Sequence, residues 1–168
     1  MDYKELNTQL DLSFMDGLHP DSKVWVYHAG RIFSATELES LDKHIAAFCN
    51  DWASHGSNLK AVGKVLLDRI LVLVVDESNS MVSGCSIDSS VAFVKNIGSH
   101  YKVDMFDRMI ITYFDQGEPM TTKLSQLSEA IKGREHEIHI FDNLVKSKKD
   151  LISAGLVPIE QSWVKRFI

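Results

Sequence analysis

Apolar residues recur along this chain with two spacings, three-to-four and two, and the switches between them lay out its elements. Leu38, Leu41, Ile45, Phe48 and Trp52 stand three and four apart, the spacing of one buried helix face. Ser34-Ala35-Thr36-Glu37 stands ahead of them in capping-box form: the serine accepts from a first-turn amide and the glutamate reaches back. Gly56 is the expected stop of this helix. The stripe is too short for a coiled-coil seam and predicts a helix facing a core. Val91, Val94, Ile97 and Tyr101 mark a second helix of the same kind.

Between and after these helices the period changes. Residues 24–28 read as a strand, Ala29-Gly30 as a turn, and residues 31–33 as a short returning strand. Residues 61–67 and 69–76 predict two strands reversing at Asp68. The second is apolar on both faces through Ile70, Leu71, Val72, Leu73, Val74 and Val75, as a covered central strand would be. Residues 109–114 predict another strand, with residues 120–123 pairing back. Ser125 is the expected cap of a short helix running through Ile131 and stopped at Gly133, and residues 137–141 alternate as a further strand. Ser147 is placed to cap a last helix, and Trp163 and Phe167 are expected to anchor the tail of residues 158–168. The first twenty or so residues fit either a short helix or a loose arm. The order ββ–α–ββ–α–ββ–α–β–α predicts an α+β fold: a mixed, mostly antiparallel sheet with about four helices packed on it. We expect one domain over residues 1–168, with residues 1–22 as a candidate N-terminal arm.

Composition narrows the class more than the function. The chain has 168 residues, 45% hydrophobic and 24% charged, which suits one globular core. A net charge of −5, with scattered Lys and Arg and one short cluster at Lys146, Lys148 and Lys149, argues against nucleic acid as a partner. No apolar run is long enough to span a bilayer, so no membrane association is expected, and the first residues do not read as an export signal. Two cysteines, Cys49 and Cys85, are too few for a disulfide framework and point to reduced thiols in the cytoplasm.

The candidate chemistry lies where the strongest strand gives way to the second helix. Ser83-Gly84-Cys85-Ser86-Ile87-Asp88-Ser89-Ser90 puts hydroxyls, a thiol and a carboxylate at a helix start, where free amides and the dipole favour anions. A thiol there is open to activation, and a nucleophilic Cys85 would need a base. His55 is the first candidate and His28 the second. Ser83, Gly84, Ser86, Asp88 and Ser89 are the candidate ligand-binding residues, with either Ser86 or Asp88 as the helix cap. The same pattern is also an ordinary helix start around a small buried cysteine.

Other motifs fail. A phosphatase-type cysteine loop needs Arg six residues after the cysteine, where this chain has Val91. The stretch from Gly56 to Lys64 has six residues between its glycines rather than the four of a phosphate-binding P-loop, and Val65 stands where a hydroxyl should be. Asp76, Asp88 and Asp107 have no metal-binding spacing, and neither have the seven histidines; Asp107 and Arg108 suit a surface ion pair. No metal and no cofactor is expected.

The set Trp52-x-x-His55-Gly56, Val75-Asp76-Glu77, Ser83-Gly84-Cys85-Ser86-Ile87-Asp88-x-Ser90-Val91, Phe106-Asp107-Arg108 and Ser162-Trp163-x-x-Arg166-Phe167 resembles an uncharacterised family of small bacterial proteins, from about Val24 onward. Members are sometimes labelled as ABC transporter ATPases. Val82-Ser83-Gly84-Cys85-Ser86 is faintly similar to the signature of those enzymes, but the phosphate-binding loop is missing. The resemblance implies a bacterial cytoplasmic protein and no mechanism. Two functions follow as expectations. One is a non-enzymatic protein that binds a small molecule or a protein through the 83–90 turn and His55. The other is a thiol-dependent enzyme acting on an acyl or phosphorylated small molecule, with Cys85 as nucleophile and His55 as base.

Overall fold

The computed structural model describes Leu6 and residues 8–168. Strands β1 (Lys23–His28), β5 (Ile70–Asp76) and β4 (Lys60–Leu66) form one antiparallel sheet in the order β1-β5-β4. Strands β7 (Glu118–Lys123), β6 (Ile110–Asp115), β8 (His139–Phe141) and β9 (Leu156–Pro158) form a second in the order β7-β6-β8-β9. A small hairpin pairs β2 (Ala53–Ser54) with β3 (Ser57–Asn58). The described residues also form helices α1 (Ala35–Asp51), α2 (Gly84–Tyr101), α3 (Leu124–Ala130) and α4 (Lys148–Ala154), as well as short 3-10 helices. It is α+β, and every ladder among the described residues is antiparallel; the strands divide among two larger sheets and the hairpin rather than sharing one.

The two-faced apolar run of β5 explains the layering. Leu71, Leu73 and Val75 point into a core shared with Leu41, Ile45 and Trp52 near α1 and with Val94 and Ile97 of α2. Ile70, Val72 and Val74 point the other way, into a core between the sheets with Phe114, Phe141 and Leu151. Leu6, Leu10, Met15 and Leu18 are buried in that second core, so the described part of the 1–22 stretch is packed against the body rather than loose. A third core joins Ile111 and Tyr113 of β6 to Leu127 of α3 and to Ile159 and Val164 of the tail. Within the first core Gly63 lets α1 close on β4: a Cβ there would stand 2.7 Å from Ile45 Cγ2.

Local chemistry corrects several boundaries. The Ser34–Glu37 box forms as expected, and Glu37 also takes two hydrogen bonds of 2.9 Å from Arg31. Residues 31–33 are not a strand; Phe33 is buried and its N–H donates to the Asp68 carbonyl. Helix α1 ends at Asp51 rather than at Gly56, which instead turns the β2–β3 hairpin with φ 79°. Ser125 caps nothing: α3 starts one residue earlier, with Lys123 at the cap position. A short 3-10 turn occupies residues 135–137, so the strand there begins at His139. Ser147 caps α4 by accepting from the Asp150 amide. Ile159 and Val164 anchor the tail, while Phe167 lies 56% exposed.

Candidate functional site

Strand β1 is an edge strand, and the direction of its amides can be read from two flanking bonds. Ala29 N–H donates across β5's side to the Arg69 carbonyl, which turns Tyr27 and Trp25 toward β5 as well. Val24 N–H donates the opposite way, to the Lys146 carbonyl at 3.0 Å, and Lys148 N–H donates to the Ser22 carbonyl at 2.9 Å. These two bonds form an isolated antiparallel bridge between Lys23 and Ser147. Among the described residues no chain pairs further along this edge of β1. Alternation points the N–H and C=O of Val26 out along the same edge, and neither has a partner among the described residues.

That edge floors a groove of about 790 Å3. One wall is built from Ile87 and Val91 of α2 and from Phe106, whose ring meets Tyr27 edge-on at 5.5 Å. The other wall carries Leu144 and Val145, and Trp163, whose indole N–H donates to Asn143 Oδ1, closes the lining. Ile87, Phe106, Met109 and Leu144 are 39%, 41%, 56% and 57% exposed, so four large apolar side chains face water around one groove. The volume falls within the roughly 300–1,000 Å3 of ligand pockets.

The groove's charged lining residues are Lys23, Asp107, Arg108 and Lys146. Arg108 and Lys146 are exposed and make no side-chain hydrogen bond or ion pair among the described residues. Burial pushes the Tyr27 phenol above its ordinary pKa while the positive charge of Arg108 pulls it back. The expected Asp107–Arg108 ion pair is not formed; Asp107 instead accepts from the Met109 amide at 2.9 Å. Lys23 is held by Glu77 at 3.3 Å. His28 lines the groove: its Nδ1 lies 3.0 Å from Thr112 Oγ1, its buried Nε2 has no partner among the described residues, and burial pushes its pKa down to about 4.

The 83–90 turn is largely consumed by capping. Ser83, rather than Ser86 or Asp88, is the cap of α2, accepting from the Ser86 amide at 3.2 Å. Ser86 reciprocates by accepting from the Ser83 amide at 2.6 Å and is buried. Ser89 Oγ donates to the Cys85 carbonyl, and Ser90 Oγ to the Ile87 carbonyl. The Trp52 indole N–H donates to the Ser86 carbonyl at 2.8 Å, tying the end of α1 to this turn. Gly84, Cys85 and Asp88 are exposed. His55 sits at the tip of the β2–β3 hairpin with φ 50°, not on a helix. Neither Cys85 nor His55 makes a side-chain hydrogen bond or ion pair among the described residues. Neither lines the groove, nor the cavity of about 490 Å3 between the end of α2 and residues 102–106. No group of three or more His, Cys, Asp or Glu among the described residues gathers in a metal-binding arrangement.

No family model, curated protein or solved structure matches this chain. Among the described residues no helix is long and apolar enough to cross a membrane. The groove residues Tyr27, Phe106, Met109 and Leu144 carried no sequence signal as a set. Trp25 and Tyr27 fall in the stretch of residues 24–28 that reads as a strand, and only the strand order makes that strand an edge.

Proposed function

We propose that this chain is a non-enzymatic binding protein whose ligand, a small molecule or a protein, enters the groove beside β1. The observation that carries this reading is the meeting of an unpaired strand edge at Val26 with four exposed apolar side chains around one groove. Large apolar side chains gathered in a concave site beside free backbone donors and acceptors are the features that peptide and ligand grooves share. The 83–90 turn contributes through Ile87, which lines the groove, while its hydroxyls hold the helix start in place. A bacterial cytoplasmic setting belongs to the same proposal, supported by the family resemblance and by two cysteines that are both free thiols.

The thiol-enzyme reading has one observation in its favour, the exposure of Cys85 in the first turn of α2. Among the described residues no base is hydrogen-bonded to the sulfur, and Cys85 lines neither the groove nor the cavity beside the end of α2. A fragment screen by two-dimensional NMR separates the two. Hits that shift Trp25, Tyr27, Phe106 and Trp163 support the groove. Hits confined to Cys85 and His55, or none at the groove, contradict it.

A further inference from the structure

We infer that the occupant of the groove is an extended peptide segment of a partner protein that adds to β1 as a strand, a short apolar run bracketed by acidic residues. This rests on the groove being the ligand surface. Three features of the edge narrow the occupant to this chemistry. Val26 offers one donor and one acceptor side by side along the edge, and the group that satisfies both at strand spacing is another extended backbone. The edge already takes such a backbone: the Lys23–Ser147 bridge is the first rung of a ladder that the described residues do not continue.

Side chains of an added strand point alternately to the two faces of the sheet. On one face they would meet Ile87 and Phe106, on the other Leu144, so an apolar run is favoured at successive positions. The groove's lining also selects charge. Arg108 lines the groove near Tyr27, and Lys146 lines it near Val24, whose N–H donates to the Lys146 backbone carbonyl. Both cations are unpaired among the described residues in a chain of net charge −5, which favours a carboxylate of the peptide beside each of them. A second copy pairing antiparallel through the same edge would bring Arg108 of each copy toward Lys146 of the other, like charge against like charge. A partner peptide avoids that.

The test uses the full chain and a displayed library of linear seven-residue peptides. Enriched sequences are expected to share an apolar run flanked by Asp or Glu. The best peptide is then synthesised in three forms: unmodified, and N-methylated on each of its two alternating sets of amides. Methylation of the edge-facing set should weaken binding at least about tenfold, and methylation of the other set should weaken it less. Val26→Pro removes one outward donor from an edge strand, where proline is tolerated, and should weaken binding similarly; Arg108→Glu should do so for acidic peptides. Equal effects of the two methylations, or full binding by Val26→Pro, would overturn strand addition. Fragments that bind the groove while no peptide is enriched would overturn the peptide and leave the binding reading intact. Absence of both fragments and peptides from the groove would overturn both.

Discussion

Lys23 and Ser147 face each other in an isolated antiparallel bridge on the outer edge of β1. The bridge places two events in one spot: the start of the first sheet's edge strand and the cap of α4. Ser147 Oγ accepts from the Asp150 amide at 3.2 Å, while the flanking Lys146 carbonyl and Lys148 amide bond to β1. The segment then leaves the edge, and the groove opens beyond it.

Ser147→Ala should therefore cost about 1 kcal/mol, the usual value of a lost helix cap, with the urea midpoint lowered and the slope unchanged. A changed slope would mean that the segment of residues 143–148 loosens as a whole.

Gly63→Ala tests how closely α1 lies on β4. The new methyl would stand 2.7 Å from Ile45 Cγ2 and 2.8 Å from Leu73 Cδ2, with the Val72 carbonyl at 3.2 Å. Both side chains belong to a filled core, so a loss of about 1–3 kcal/mol is expected by urea unfolding. Unchanged stability would mean that α1 can lift from the sheet without cost.

His28 makes the fold acid-sensitive in a defined window. Burial lowers its pKa from an ordinary 6.5 to about 4, so the unfolded chain takes up a proton that the folded chain refuses. Its contribution is fully present above about pH 6.5, falls as the pH drops toward 4, and changes no further below that. The loss is on the order of 3 kcal/mol. His28→Gln should flatten the fall in urea midpoint between pH 6.5 and 4. An unchanged slope across that interval would remove His28 as its cause.

The two thiols should react in sequence. Cys85 is exposed, whereas Cys49 is buried on α1 and burial pushes its pKa up to about 12. Ellman's reagent should titrate one thiol per native chain and the second only on unfolding, and Cys85→Ser should abolish the first. Two rapid thiols in the native chain would contradict the burial of Cys49.

Elements with a strong local signal were legible in the sequence. The Leu38–Trp52 stripe and the Ser34–Glu37 box mark α1 because helix periodicity and capping are local properties. The two-faced run of β5 announced a covered strand for the same reason. Ends set by tertiary bonds were not legible. Gly56 resembles a helix stop, yet it turns a hairpin with His55. Ser86 resembles a cap, yet Ser83 holds that place and Ser86 answers it. The groove was hidden for a stronger reason. Whether Val26 ends with a partner depends on strand order, which joins residues 23–28 to 70–76 across a long intervening stretch and leaves no trace in the local pattern.

Amide hydrogen exchange at two adjacent residues tests the open edge most directly. Tyr27 turns its N–H toward β5 and Val26 turns its N–H into the groove. In the free chain the Val26 amide should exchange far faster than that of Tyr27, and it should become protected when the groove is filled. A Val26 amide as slow as its neighbour's in the free chain would mean that the edge is already covered, and the binding groove would be lost with it.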